Sequence, residues 1–298
     1  MKYHNPVLLN ESVAGLDILE DGIYVDVTFG GGGHSKEILK KLSNSGRLIA
    51  FDQDQDSIEN KIDDDRFLLI NKNFMYLKEN LQSNNIDKVD GILADFGISS
   101  HQIDVPERGF SIRYDADLDM RMDQSTELTA FDIVNNYSFD QLTKIFFEYG
   151  ELRMARVIST KIIEARLISE IKTTLEFNEL LLTILPKKRS IKLLAQIYQA
   201  LRIEVNSELE VIKSFLIQSQ EVLRTKGRLS IISYHSLEDR LVKRFIRNGL
   251  FEGDAEKDLY GNVQIPFNKI GKLITPDESE IKQNNRARSA KLRIAEKN

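Results

Sequence analysis

Short apolar runs and amphipathic helical patterns alternate over the first hundred residues of the chain. The apolar runs predict four β-strands, at 23–28, 47–52, 67–71 and 89–95, and helical patterns separate the first three at 35–42 and 57–62. Strands that alternate with helices need crossover connections, which favours a parallel sheet. Ligands of such sheets bind beyond the carboxyl ends of the strands, so polar residues there are candidate site residues.

The pattern becomes wholly helical after about residue 110. Apolar residues at helical spacing, such as Ile145 and Ile158, predict amphipathic helices that pack on one another. We interpret residues 107–200 as an inserted all-α domain. The chain is then predicted to be of the α/β class, with a doubly wound sheet built from residues 1–106 and 201–298.

The α/β pattern resumes after the insertion. A helix is predicted at 208–223, and two further strands follow at 228–233 and 290–296. Between those strands, Ser236 is placed to cap a helix, with Asp239 returning the capping bond.

Composition excludes several classes of protein. The 298 residues include no cysteine, so disulfides, thiolate catalysis and cysteine-ligated metals are excluded. No run approaches the roughly 18 apolar residues of a membrane span, so we expect a cytoplasmic protein without a membrane partner. The net charge of -5 argues against indiscriminate coating of nucleic acid, but residues 151–192 and 221–247 are locally basic.

Four consecutive glycines at 30–33 follow the first predicted strand. Glycine adopts positive φ and lets a ligand approach the backbone, although a glycine-rich turn without a ligand is the alternative. Asp52 follows the second strand, 22 positions after Gly30, where a carboxylate can accept hydrogen bonds from both ribose hydroxyls of an adenosine.

Two cofactors fit this pattern, a nicotinamide dinucleotide and S-adenosylmethionine. A dinucleotide needs glycines spaced G-x-G-x-x-G, whereas these are contiguous and end at His34. Asp26, four residues before Gly30, would repel a pyrophosphate but suits a cationic amino group. S-adenosylmethionine is therefore the better match.

We predict no metal requirement. Residues 52–56 resemble the start of a calcium loop, but Ser57 replaces its glycine and Asp63 its final glutamate. The four histidines lack the spacing of zinc ligands.

Motifs along nearly the whole chain resemble the MraW family, which methylates N4 of a cytosine in the decoding region of bacterial 16S rRNA. The matching stretches are 4–9, 28–35, 95–100, 107–111, 118–122, 199–206, 228–244 and 285–289. The resemblance implies a Rossmann-like class I methyltransferase that uses S-adenosylmethionine and acts on 16S rRNA in the small ribosomal subunit. It assigns cofactor contacts to Gly32, Gly33, His34, Asp52, Phe74, Asp95 and Gln102. Phe74 could instead belong to the core, and Gln102 could be an ordinary loop residue.

Methylation of an exocyclic amine requires a group that accepts its N–H, because the amine lone pair is delocalised into the ring. Asp95, at the end of the fourth strand, is the candidate acceptor, although Phe96 and Gly97 replace the prolines common in amino-methyltransferases. Tyr234 and His235 are candidates to stack on the cytosine, with packing at a helix entry as the alternative. Compared with the family pattern, Phe96 replaces leucine and His101 replaces proline.

Cations near these motifs are candidate RNA ligands. Phosphate contacts are expected from Arg108, Arg121, Arg286, Arg288 and the basic run 187–189. A structural ion pair is the alternative for Arg121, which lies among aspartates. Two rival functions remain, a nicotinamide-dependent oxidoreductase and a non-catalytic ribosome-assembly factor that binds S-adenosylmethionine.

Overall fold

A computed structural model describes residues 6–253 and 265–298. His4 and Asn5 of the first matched stretch lie outside the described residues. The described chain divides into two units. One comprises residues up to Gly97 together with Leu209–Asn298, and the other is Ile98–Glu208. No helix among the described residues is both long and apolar enough to cross a membrane.

The first unit is a seven-stranded sheet with helices. Its strands are β1 (Ile23–Asp26), β2 (Arg47–Phe51), β3 (Phe67–Ile70), β4 (Val89–Asp95), β5 (Leu223–Ser233), β6 (Phe267–Ile274) and β7 (Lys291–Lys297). Its α-helices are α1 (Leu9–Gly15), α2 (Gly33–Leu39), α3 (Leu77–Ser83), α10 (Glu208–Val222), α11 (Ser236–Asn248) and α12 (Glu278–Gln283).

The strand order is β3-β2-β1-β4-β5-β7-β6. The first five strands are parallel, and β7 runs antiparallel to both β5 and β6. Buried residues alternate between two apolar clusters, since Val25 and Ile49 lie in one while Tyr24 and Leu48 lie in the other. Because successive side chains of a strand point to opposite faces, both faces are covered. The predicted doubly wound α/β fold is confirmed.

Several predicted boundaries were wrong. The segment predicted as a helix at 57–62 is a 3-10 helix at Gln55–Asn60. The last parallel strand begins at Leu223, so α10 ends at Val222. The sequence pattern did not predict α1, α3, α12 or β6. The polar, exposed side chains of β6 leave little alternation to detect, as expected for a strand at the edge of the sheet.

The cap of α11 also differs from the prediction. His235, in an extended conformation, is the N-cap, and its Nδ1 accepts the backbone N–H of Glu238 at 3.4 Å. The Glu238 carboxylate accepts the N–H groups of Tyr234 at 2.7 Å and His235 at 3.2 Å. Asp239 is drawn away from the cap by Arg293, whose Nε lies 2.7 Å from its carboxylate.

The second unit is helical and has its own core. Its helices are α4 (Ser100–Asp104), α5 (Ala130–Asn136), α6 (Phe139–Glu148), α7 (Ala155–Arg166), α8 (Thr174–Leu182) and α9 (Ser190–Val205). Ile145 and Ile158 are buried in one apolar cluster. The unit is longer at both ends than the predicted insertion at 107–200, because Ile98 packs on this cluster and α9 continues to Val205.

Candidate functional site

The site lies where the strand order reverses. The chain leaves β1 towards β2 on one side, while β4 pairs with the other side of β1. The crevice beyond the carboxyl ends of such strands is the usual ligand site of open α/β sheets. Asp26 ends β1, Asp95 ends β4 and Asp52 follows β2 directly. The ends of β1 and β4 are linked by a side chain, because Oγ1 of Thr28 accepts the backbone N–H of Asp95 at 2.7 Å.

The glycine loop joins β1 to α2 and requires glycine at specific positions. Gly30 and Gly32 have φ of +51° and +75°, a region that other residues rarely adopt. A Cβ on Gly33 would lie 2.1 Å from Cγ of Pro6, so that position admits no side chain. A Cβ on Gly30 would meet no heavy atom within 4 Å, so the backbone there borders open space.

Asp52 holds the glycine loop in place. One of its carboxylate oxygens accepts the N–H of Gly30 at 2.7 Å, and the other accepts the N–H of Asp54 at 2.9 Å. Asn60 completes the clamp by donating to the Gly30 carbonyl at 3.0 Å. Each carboxylate oxygen can accept a second hydrogen bond, and the side chain is only half-buried. Desolvation raises the pKa of Asp52 to about 7.

Asp26 does not reach the crevice, contrary to its interpretation as a partner for a cationic ligand group. It is fully buried, accepts the Ser35 hydroxyl at 2.7 Å and accepts the Thr28 N–H at 3.1 Å. Burial raises its pKa, and the neighbouring His34 opposes the rise. Asp26 therefore fastens α2 to the end of β1.

Ser35→Ala tests this anchor. Without the Ser35 hydroxyl, the buried carboxylate of Asp26 loses a hydrogen-bond donor, which costs about 1–3 kcal/mol of stability. We expect the free energy of unfolding in urea to fall by that amount. A matched change of the exposed Ser45, Ser45→Ala, is expected to cost less. Equal losses in the two variants would contradict the anchoring role.

Asp95 is the acidic group that faces the crevice at the end of β4. Its side chain is 21 % exposed, and one oxygen accepts the Tyr234 hydroxyl at 2.8 Å. Its other oxygen lies 3.9 Å from Nδ1 of His34. Desolvation raises the pKa of Asp95 to about 6, opposed by His34 and by the hydrogen bond from Tyr234. The pKa of Tyr234 lies well above its usual value because of burial and the Asp95 charge, so its phenol remains a donor.

His34 is buried beside Asp95. It is 5 % exposed, and its Nε2 lies 3.1 Å from the carbonyl oxygen of Val7. A carbonyl can only accept, so Nε2 carries a hydrogen and Nδ1 is turned towards Asp95. His34, which was predicted to contact the cofactor, thus binds the N-terminal segment at Val7 and lies beside Asp95.

Phe74 is part of the core and also borders solvent. Its ring stacks on Phe96 with centroids 6.1 Å apart and meets Phe215 edge-on at 5.5 Å. It is half-buried, in a 3-10 helix that follows β3. Phe96, which differs from the family pattern, is 3 % exposed and packs in the same aromatic cluster.

Gln102 lies in the second unit and has a local structural role. It is the third residue of α4, where its side-chain oxygen accepts the N–H of Ser99 at 3.0 Å. Its own N–H donates to the Ser99 hydroxyl at 3.1 Å, which completes a capping box. His101 lies in the same helix.

Arg108 and Arg121 are poor phosphate ligands, contrary to the prediction. Arg108 is 3 % exposed and donates to the carbonyls of Arg121 and Met122, each at 3.0 Å. Arg121 forms a two-point ion pair with Asp119 at 2.8 Å and also donates to two backbone carbonyls. Both guanidinium groups hold the loop before α5 together. For Arg121 this is the structural ion pair given above as the alternative to a phosphate contact.

Arg286 and Arg288 lie at the same edge of the sheet as the crevice. They belong to the 3-10 helix Asn285–Ser289, which leads directly into β7. Lys291 at the start of β7 pairs with Ser233 at the carboxyl end of β5. Arg288 is exposed and Arg286 half-buried.

Tyr234 has a role that sequence reasoning missed. It was a candidate to stack on the cytosine, with packing at a helix entry as the alternative, but its hydroxyl is bound to Asp95 and its ring packs against Gly97. The signal that the sequence offers is its position directly after β5. His235, the other stacking candidate, is occupied in the cap of α11.

A model of the MraW methylase family matches residues 1–298. The chain belongs to the MraW methylase family. Among its curated relatives, the ribosomal RNA small subunit methyltransferase H of Flavobacterium johnsoniae is 62% identical over 297 residues, covering 100% of this chain and 98% of that protein. The protein of the same name from Bacteroides thetaiotaomicron is 51% identical over 298 residues, with 100% and 98% coverage. A solved rRNA methylase from Streptococcus thermophilus is more distant, at 12% identity, 100% and 98% coverage and a TM-score of 0.43.

Proposed function

We propose that this protein transfers a methyl group from S-adenosylmethionine to the N4 amine of a cytosine in 16S rRNA of the small ribosomal subunit. Membership of the MraW methylase family supports the reaction class, and the names of its relatives support the RNA substrate. The observation that carries the proposal is the pair of carboxylates, Asp52 and Asp95, beside an open glycine loop at the reversal of strand order.

The chain's residues fit S-adenosylmethionine. The open space beside Gly30 admits a ligand against the backbone, and the spare acceptor positions of Asp52 suit two ribose hydroxyls. Phe74, half-buried beyond β3, offers an apolar surface to the adenine. When bound, the cofactor supplies a methyl group activated by a sulfonium. Gly32, Gly33 and His34 shape the loop that holds it.

Asp95 is proposed to orient and activate the amine. Its oxygen on the His34 side can accept an N–H of the cytosine amine, which turns the nitrogen lone pair towards the methyl group. The cofactor, held by the glycine loop and Asp52, would supply the methyl group, and its sulfur would keep the electron pair of the broken C–S bond as the new N–C bond formed. The nitrogen then releases a proton, which Asp95 accepts and passes to solvent. A pKa of about 6 suits this role, because the carboxylate is charged near neutral pH yet still able to take a proton.

RNA is proposed to be held by cations of both units. Arg286 and Arg288 lie at the edge of the sheet that carries the site. In the second unit, Lys187–Arg189 is a run of three exposed cations before α9, which supports a substrate-recognition role for this helical unit. The substrate, in turn, supports a cytoplasmic location.

Mapping of methylated nucleosides in 16S rRNA tests the function directly. The comparison is between cells with and without this protein, and between cells that carry the wild type and Asp95→Asn. We expect one N4-methylcytosine to disappear in both the deletion and the variant. An unchanged map would overturn the proposal and favour a cofactor-binding assembly factor.

Purified components separate the remaining alternatives. Small subunits from the deletion strain are expected to accept methyl groups from S-adenosylmethionine. Treatment of the protein alone with EDTA, which is removed before the subunits are added, is expected to leave the rate unchanged. Binding of NAD in preference to S-adenosylmethionine would instead indicate an oxidoreductase.

A further inference from the structure

Helix α11 carries a stripe of four cations along one face. Arg240, Lys243, Arg244 and Arg247 are spaced i, i+3, i+4 and i+7, so their side chains lie on the same side of the helix. Arg240, Lys243 and Arg247 are exposed, and Arg244 is half-buried. The opposite side is apolar and packs into the unit through Val242, Phe245 and Ile246.

This stripe is unfavourable for the isolated helix. Each cation has another cation three or four residues away, and like charges at these spacings destabilise a helix by about 0.2–0.5 kcal/mol per pair. The two carboxylates of the helix do not compensate. Glu238 is fully buried at the cap, and Asp239 accepts Arg293 Nε at 2.7 Å and Lys291 Nζ at 3.3 Å. A bound anion would relieve the repulsion between Lys243 and Arg247, which are exposed and four residues apart.

The stripe begins close to the proposed site. The helix starts directly after Tyr234, whose hydroxyl is bound to Asp95. With a rise of about 1.5 Å per residue, Arg240 lies about 8 Å along the helix axis from the His235 cap, and Arg247 about 10 Å further. A nucleic-acid strand leaving the crevice along this helix would therefore meet successive cations.

We propose that the cationic face of α11 binds phosphates of the RNA strand that flanks the target cytosine. This inference rests on the proposed function, and it assigns to the first unit a backbone-binding surface besides Arg286 and Arg288. Phosphate contacts position an RNA without reading its sequence, so the face would set the strand's path and leave the choice of base to the crevice.

The double variant Lys243→Gln/Arg247→Gln removes two exposed charges and leaves Arg244, which donates to the Gly253 carbonyl at 3.2 Å. Its matched control is Lys40→Gln/Lys41→Gln. These two exposed cations follow the end of α2, a different helix of the same unit. Binding to small subunits from the deletion strain is measured across a salt titration.

We expect the double variant to lower the slope of log affinity against log salt by about 1.4, or roughly 0.7 per lost phosphate contact. Its KM for subunits is expected to rise at least about tenfold, with kcat and the affinity for S-adenosylmethionine unchanged. The control should match the wild type. If the wild type methylates subunits and the double variant keeps the wild-type slope and KM, the stripe is only a solvated face. If the wild type itself fails to methylate subunits, the proposed function fails instead.

Discussion

Replacement of Asp52 by alanine is expected to abolish measurable binding of S-adenosylmethionine. The substitution removes the proposed acceptor of two ribose hydroxyls and also the bond that fixes the N–H of Gly30. Two charge-assisted hydrogen bonds of about 1.5 kcal/mol each correspond to roughly a hundredfold in affinity. Release of the glycine loop adds to this loss. Isothermal titration calorimetry of the purified variant measures the effect.

Asp52→Asn separates the two roles of this carboxylate. The amide oxygen can still accept from Gly30, but its NH₂ group cannot accept from a hydroxyl. We expect the loop to be retained and affinity still to fall by at least tenfold. Asp65→Asn, at an exposed carboxylate of the same unit, is the matched control. Wild-type affinity in Asp52→Asn would show that Asp52 serves only the loop.

Much of the sheet could be predicted because its signals are local. β1, β2, β3 and β4 are short apolar runs separated by polar segments. In β1, β2 and β4 most of these apolar residues are buried, and such a run remains visible without knowledge of its neighbours. The glycine loop and Asp52 were found for a related reason. Positive φ at Gly30 and Gly32 is a backbone requirement, and glycine is the residue that meets it.

The side chains in the site were harder to predict because their roles depend on non-local partners. Asp26 and Asp95 both end strands, yet one is buried against Ser35 and the other borders the crevice. Each is the last residue of its strand, and only tertiary packing distinguishes the two. Arg108 likewise reads as a surface cation until the carbonyls that it binds are seen.

The link between Tyr234 and Asp95 spans 139 positions. It depends on β5 lying beside β4, which an unaligned sequence does not specify. Capping of α11 was misassigned by one residue for a similar reason. Arg293 of β7 removes Asp239 from the cap, which leaves His235 and Glu238 to form it.

Asp95→Asn is expected to lower kcat for methyl transfer by about 10²–10⁴, the usual contribution of a positioned acid–base group. The amide oxygen can still accept the Tyr234 hydroxyl, so the local geometry should survive. Affinity for S-adenosylmethionine is therefore expected to change far less than kcat. Single-turnover methylation of small subunits, with binding measured in parallel, tests this split. A variant with near wild-type kcat would remove Asp95 from the reaction.

The pH profile provides an independent test of the same carboxylate. Since the pKa of Asp95 is raised to about 6, kcat/KM for the RNA at saturating cofactor should rise with pH through about 6 and then level off. In Asp95→Asn this rising limb of the pH profile should be absent.

Stability should respond to pH in the opposite direction. Folded Asp95 retains its proton at pH values where the unfolded carboxyl, with a pKa near 3.8, has lost it. Its contribution to stability therefore falls as pH rises from about 4 to above 6. Asp95→Asn has no charge at this position at pH 8. We therefore expect the free energy of unfolding of this variant at pH 8 to be no lower than that of the wild type. A loss of both the limb and the stability at pH 8 would instead indicate that Asp95 acts mainly as a structural link between β4 and Tyr234.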